Sequence, residues 1–300
     1  MCPEIIDNVD SSECLNYRRL PVWFKQNIPG KKSIEKLQKL SENNLNTVCV
    51  SAMCPNLSAC FKNNELTFMI LGDTCTRNCL FCAVKKSKLE DLGVDEGEPK
   101  RVACAVKEFG LKYTVITSVT RDDLEDGGSQ HFAKTIEEIR NISPQTKIEV
   151  LIPDFQGKFS SLKRVLGALP NVIAHNIETV RRLSIKIRPL SDYDRSLRVL
   201  DMIKRMAQSI VTKSSIMLGL GETQEEVFGA LKDLHNVNCD VVTMGQYLAP
   251  SVNHYPVKEF VPIGQFAKYK DMAYSLGFKA VLSGPLVRSS YEAERVYGQV

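Results

Sequence analysis

Six short apolar or β-branched runs, at residues 66–71, 113–117, 147–152, 172–176, 210–218 and 240–244, alternate with amphipathic stretches along the middle of the chain. Each run is of strand length. Between them, residues 100–109, 130–141, 158–169, 195–208 and 225–235 space their apolar side chains three and four apart, the period of a helix with one buried face. Strand and helix in strict alternation predict crossover connections and a parallel sheet. Six such units predict an α/β fold, either a partial (β/α)6 barrel or an open sheet, with functional groups at the carboxyl ends of the strands. Residues 66–260 carry this repeat. Residues 1–65 and 261–300 fall outside it and read as N- and C-terminal extensions, and no long linker or low-complexity tract divides the chain further.

The residues with chemistry cluster where this fold predicts. Cys75, Cys79 and Cys82 follow the first strand, Asp126-Gly127-Gly128 follow the second, Asn176 and Glu178 end the fourth, and Gly219-Leu220-Gly221-Glu222 end the fifth. All face one mouth. Six of the ten cysteines form two triplets, Cys49-x4-Cys54-x5-Cys60 and Cys75-x3-Cys79-x2-Cys82. Thiolates are soft ligands suited to iron–sulfur clusters or zinc. Structural zinc favours paired ligands at C-x2-4-C spacing that close a tetrahedron, and neither triplet has that form. A disulfide framework belongs to small secreted chains. A cubane held by three cysteines leaves one iron open, which points to chemistry rather than scaffolding. The glycine pairs and the Asn176/Glu178 pair also have plainer readings, as loop turns and helix caps.

Composition narrows the class without deciding it. Hydrophobic residues make up 43% and charged residues 25% of 300, the profile of an ordinary globular protein. The net charge of +4 is spread over 39 basic and 35 acidic residues, so no nucleic-acid footprint is expected. Residues 1–20 carry Glu4, Asp7, Asp10 and Glu13 and lack an apolar core, and no window approaches 18 apolar residues, so neither a targeting segment nor a membrane span is expected. A cytoplasmic location suits metal-bound thiols. Cys104 and Cys239 are expected to be buried, Cys2 and Cys14 have no partner at metal spacing, and His175 is expected to make a structural hydrogen bond.

The run Cys75-Thr76-Arg77-Asn78-Cys79-Leu80-Phe81-Cys82, with its aromatic before the last cysteine, resembles the radical SAM superfamily signature. That resemblance implies a radical SAM partial barrel. It also implies a four-iron, four-sulfur cluster on these three cysteines, whose open iron takes the amine and carboxylate of S-adenosylmethionine. Gly127, Gly128, Gly219 and Gly221 would then let the backbone approach this cofactor, and Asn176 and Glu178 would bind its ribose or amine. A longer set of motifs is similar to the lipoyl synthase family: Leu45-Asn46-Thr47-Val48-Cys49, Cys54-Pro55-Asn56, Thr67-Phe68-Met69-Ile70-Leu71-Gly72-Asp73, Arg121-Asp122-Asp123-Leu124, His175-Asn176-Ile177-Glu178-Thr179, Gln246-Tyr247-Leu248 and Arg288-Ser289-Ser290-Tyr291. The likeness runs from about Arg18 to Tyr291; residues 18–32 resemble the family's Arg-Leu-Pro entry stretch and are expected either to cover the substrate channel or to form a surface arm.

The family resemblance implies that Cys49, Cys54, Cys60 and Ser290 hold a second, auxiliary four-iron cluster. It also implies that this cluster supplies two sulfur atoms, inserted at C6 and C8 of an octanoyl chain on a carrier lysine, at the expense of two S-adenosylmethionine molecules. An alkoxide is a harder ligand than thiolate, so Ser290 would be the weakest attachment of that cluster. The implied partners are octanoylated lipoyl domains or glycine-cleavage H protein, an electron donor such as ferredoxin or flavodoxin, and a cluster-assembly carrier. Another sulfur-inserting two-cluster enzyme or a non-catalytic iron–sulfur protein are the rival readings. The chain departs from the family's usual pattern at Val50, Met53 and Ser215, where an acidic residue, an arginine and a glycine are common.

Overall fold

The structure is a computed structural model that describes residues 20–87 and 93–300; Cys2, Cys14 and Arg18 lie outside the described residues. After a 3-10 turn, Val22–Phe24, come helix α1 (Lys31–Glu42), the two-residue strand β1 (Asn46–Thr47), and short helices α2 (Val48–Ser51) and α3 (Leu57–Lys62). The repeat starts at β2 (Thr67–Ile70), followed by the two-residue strands β3 (Thr74–Cys75) and β4 (Lys85–Lys86). It continues with α4 (Glu98–Glu108), β5 (Tyr113–Ser118), α5 (Ser129–Ile142), β6 (Lys147–Leu151), α6 (Phe159–Gly167) and β7 (Val172–Ala174). Two helices, α7 (Arg181–Ile187) and α8 (Tyr193–Met206), precede β8 (Val211–Leu218), then α9 (Gln224–Asn236) and β9 (Val241–Gln246). The chain closes with α10 (Ile263–Leu276), β10 (Ala280–Gly284) and α11 (Ala293–Tyr297).

One sheet runs β1-β2-β5-β6-β7-β8-β9-β10, parallel throughout except that β1 pairs antiparallel on the β2 edge. All six expected strands are present within two residues of their expected ends. The difference lies beyond Val261, expected to stand outside the repeat. There α10 crosses over and returns β10 alongside β9, with Ala280 opposite Val241 and Gly284 opposite Gly245. The run Ala280-Val281-Leu282-Ser283-Gly284 is short and only half apolar, too weak a pattern to separate strand from loop. Asp240 fixes its start: the Lys279 backbone N–H donates to the Asp240 carbonyl at 2.9 Å, and the Lys279 ammonium lies 2.9 Å from the Asp240 carboxylate.

Strand alternation sorts the side chains. Phe68, Ile70, Ile116 and Ile148 are fully buried beneath the helices, against Val102, Val106, Phe132, Ile136 and Ile139, while Thr67, Met69, Val115, Thr117 and Leu151 turn inward and line a cavity. Both faces being covered explains why the runs read as near-continuous apolar stretches rather than alternating ones. Helical spacing also corrects one expectation. Cys239 is buried, but α4 buries Val102, Ala103, Ala105 and Val106, which leaves Cys104 on its exposed side.

The barrel floor is closed from inside. Lys213 of β8 and Glu149 of β6, both almost fully buried, meet at 2.8 Å, and the Tyr113 hydroxyl donates to the other Glu149 oxygen at 2.7 Å. Burial beside that carboxylate pushes the Tyr113 phenol well up. Below it, α11 packs Ala293 and Tyr297 on Tyr113 and Val115, and Val296 on Val241 and Ala280. Between β10 and α11 the chain crosses β9 at Gly245, where a Cβ would stand 1.9 Å from the Val287 carbonyl oxygen. Only glycine permits that crossing.

Two outcomes follow from this packing. Lys213→Met, which strands the Glu149 charge, is expected to lower unfolding free energy in urea titrations by about 3–5 kcal/mol, and Lys213→Met/Glu149→Gln to recover most of it. Gly245→Ala is expected to displace residues 286–290 at a cost of about 1–3 kcal/mol, read as roughly tenfold faster trypsin cleavage after Arg288.

Candidate active site

The first cysteine triplet sits on a loop braced from three sides. Leu71 and Gly72 turn the chain out of β2, and Glu98 holds that turn, accepting from the Leu71 backbone N–H at 2.8 Å and meeting the His131 ring at 2.7 Å. Strand β3 pairs with β4, which closes the loop containing Cys79 and Cys82 at its base. Arg77, between Cys75 and Cys79, is the brace at the centre. Its guanidinium donates to both oxygens of Asp122 at 2.6 and 2.8 Å and both oxygens of Asp154 at 2.7 and 2.9 Å. Arg195 reaches the same Asp154 at 2.8 Å. Burial alone would raise the Asp154 carboxyl, but the hydrogen bonds and charge of Arg77 hold it well below the usual carboxylate range. The loop is thereby fastened to the segments that follow β5 and β6.

The second triplet comes from the sheet edge. The Thr47 hydroxyl donates to the Thr67 carbonyl of β2 at 2.7 Å and accepts from the Cys49 backbone N–H at 3.2 Å, which opens α2 with Cys49 buried. Cys54 follows the turn after α2, and Cys60 lies on α3. Buried Asn56 donates to the Leu286 carbonyl at 2.5 Å, joining this region to the segment that carries Ser290. Next to Ser290, the Ser289 hydroxyl donates to Asn176 Oδ1 at 3.1 Å, and Asn176 Nδ2 donates to Glu178 at 3.0 Å. Burial raises the Glu178 carboxyl.

Both triplets, Asn176, Glu178 and Ser290 line one cavity of about 830 Å3. Its remaining wall mixes apolar side chains, including Met69, Leu151 and Met217, with His175, Asp154 and Arg288. Burial pushes the Cys82 thiol up to about 11 and raises Cys49, Cys60 and Cys79 as well, so metal uptake must displace their protons. Among the described residues no three His, Cys, Asp or Glu side chains converge tightly enough to share one metal ion. Soft donors spread around a roomy cavity suit a cluster several atoms across, whose ligands stand further apart than those of a single ion with metal–sulfur bonds of about 2.3 Å.

Four expected residues sit elsewhere. Gly127, Gly128, Gly219 and Gly221 do not line this cavity. A Cβ on Gly128 would meet Leu71 at 2.3 Å, one on Gly219 would meet the Gln246 amide at 2.1 Å, and Gly127 and Gly221 abut Phe155 and Lys258. Their missing side chains make room for protein behind the wall. His175 makes the structural bond expected of it, with Nδ1 2.9 Å from the Ile152 carbonyl, and burial lowers it to about 4, so it is neutral. Val50 and Met53 are exposed beside Cys54, while Ser215 is buried on the cavity wall. Asp154 and Arg195 were not singled out by the sequence, and Ser289 only as a member of the Arg288-Ser289-Ser290-Tyr291 motif; the only signal for Asp154 was its position just past β6.

The profile of the radical SAM superfamily matches residues 69–234. Lipoyl synthase of Caldicellulosiruptor bescii is 55% identical over 281 residues, covering 93% of this chain and 96% of that protein. Lipoyl synthase of Thermus thermophilus is 48% identical over 282 residues, covering 93% and 87%. Among solved structures, the FeFe-hydrogenase maturase HydG superposes with a TM-score of 0.54 at 15% identity over 89% of this chain and 71% of its own, a likeness of fold alone. No helix among the described residues is long and apolar enough to cross a membrane. Identity of this order across nearly the whole length means that the chain belongs to the lipoyl synthase family of the radical SAM superfamily, sulfur-inserting enzymes that use S-adenosylmethionine and two four-iron clusters.

Proposed function

We propose that Cys75, Cys79 and Cys82 hold the cluster that binds S-adenosylmethionine, and that Cys49, Cys54, Cys60 and Ser290 hold the auxiliary cluster that is the sulfur source. The observation that carries this reading is that both triplets and Ser290 line the same cavity. When bound, these groups supply one-electron cleavage of the sulfonium, hydrogen abstraction at C6 and C8 of an octanoyl chain, and the two sulfur atoms inserted there.

The chain's own residues do the positioning. Arg77 keeps the Cys75–Cys82 loop at the mouth by four bonds to Asp122 and Asp154. Asn176 and Glu178 face the cavity as the hydrogen-bonding pair for the cofactor's ribose or amine, and Ser289 orients Asn176. Gly127, Gly128, Gly219 and Gly221 act one layer back, by letting Leu71, Phe155 and Gln246 pack where they do. Met69, Val115, Leu151 and Met217 offer an apolar wall to an uncharged acyl chain. Ser290 brings a hard oxygen to a soft cluster, the corner most easily released.

The acyl carrier in this reading is a lipoyl domain or glycine-cleavage H protein bearing octanoyl-lysine. Ferredoxin or flavodoxin supplies electrons, a cluster-assembly carrier restores iron and sulfide, and the reaction takes place in the cytoplasm.

Cys54→Ala is expected to lose half of the iron and acid-labile sulfide after anaerobic reconstitution while still cleaving S-adenosylmethionine, and Cys79→Ala to lose the other half together with all cleavage. Cleavage surviving in Cys79→Ala would remove the first assignment. Ser290→Cys is expected to keep both clusters but to lower lipoyl product by about 10–100-fold or more, measured by mass spectrometry of the carrier; undiminished product would end the labile-corner role.

A further inference from the structure

The segment that delivers Ser290 brings a second group to the cavity. Val287 is buried, Asn56 bonds the Leu286 carbonyl, and Gly245 lets the backbone press against β9, so the chain on the near side of Arg288 is fixed. An arginine has five N–H donors. Arg288 places Nη1 2.7 Å from the Val287 carbonyl, and no carboxylate among the described residues pairs with it. Arg77 has two carboxylate partners and Arg121 and Arg182 one each, whereas Arg188, which lines the same cavity, resembles Arg288 in donating to a backbone carbonyl. Arg288, Cys54, Cys60 and Ser290 all line the cavity.

A guanidinium stays charged. Arg288 is half-buried on the cavity wall with no carboxylate beside it, so an anionic occupant of the cavity would supply the opposite charge. The inference rests on the reading that Cys49, Cys54, Cys60 and Ser290 hold the auxiliary cluster. Three thiolates and an alkoxide carry more negative charge than a cubane core cancels, and that anionic assembly lies against Arg288.

We propose that Arg288 is the counter-charge of the auxiliary cluster, stabilising its more negative, reduced state and so raising its reduction potential. It makes no bond to iron and takes no part in hydrogen abstraction. Its neighbour two positions on, Ser290, and the guanidinium thus have opposite effects: the serine weakens one corner, and the arginine holds the cluster in place as charge accumulates.

The test uses the full chain with Cys75→Ala, Cys79→Ala and Cys82→Ala, so that only the auxiliary cluster is spectroscopically visible after anaerobic reconstitution. In that background Arg288→Gln is expected to shift the reduction equilibrium at least tenfold toward the oxidised state, about 59 mV more negative for one electron, in a titration followed by electron paramagnetic resonance. Arg288→Lys, which keeps the charge, is expected to shift it by less than half as much. A potential unchanged in a fully loaded Arg288→Gln overturns the proposal. If Arg288→Gln takes up no iron, Arg288→Lys decides: recovery of iron near the original potential supports the counter-charge, and equal loss overturns it. Adding Cys54→Ala to the same background separates the two readings, since a signal that survives it removes the cluster assignment itself, whereas a signal abolished by Cys54→Ala and unmoved by Arg288→Gln removes only the role of Arg288.

Discussion

The guanidinium of Arg77, gripped by Asp122 and Asp154, is the contact on which the geometry of the mouth depends. A loop with three cysteines has no helix of its own and packs Leu80 and Phe81 only partly buried, so much of its fixed place must come from polar contacts. Four charge-assisted bonds to two carboxylates, one of them wholly buried, supply that place. Because Asp154 is shared with Arg195 of α8, the loop is tied through one carboxylate to the far side of the fold. Removing Arg77 leaves the buried Asp154 with Arg195 as its one cationic partner and the partly exposed Asp122 without its cationic partner, so the loop loses its link to both segments at once.

A second constraint brings the distant parts of the chain together. The cysteines of the sheet edge precede the barrel and Ser290 follows it, yet both reach one cavity. Three small features make this happen: Asn56 bonded to the Leu286 carbonyl, Gly245 with no side chain at the crossing, and α11 wedged against Tyr113 and Val115. Ser289 then joins this tail to Asn176 and through it to Glu178, a hydrogen-bonded path of three side chains on the cavity wall.

Much of this was legible in the sequence. The six central strands announced themselves because both faces are covered, which makes each a dense apolar run, and the cysteine spacings pointed to clusters because no closed tetrahedron fits them. What escaped was weakly patterned or non-local. Strand β10 has only a few small apolar residues, α7 is two turns, and Cys104 differs from its buried neighbours only by its angle on α4. The glycines show the limit most clearly. Gly219 directly follows β8 while Gly128 caps α5 ten residues past β5, and their contacts are Gln246 and Leu71, residues whose approach no local pattern encodes. Asp154 and Ser289 likewise acquire meaning only once Arg77 and Asn176 are beside them in space.

The wedge formed by α11 also sets an order of events during synthesis. Chains emerge from the ribosome amino end first, so Cys49, Cys54 and Cys60 are exposed to solution long before Ser290 is made. The floor, in turn, gains its outer apolar cover only when Val296 and Tyr297 arrive. Until then Tyr113, Val115, Val241 and Ala280 lack their apolar cover, so the last residues translated complete the packing of the first barrel strands.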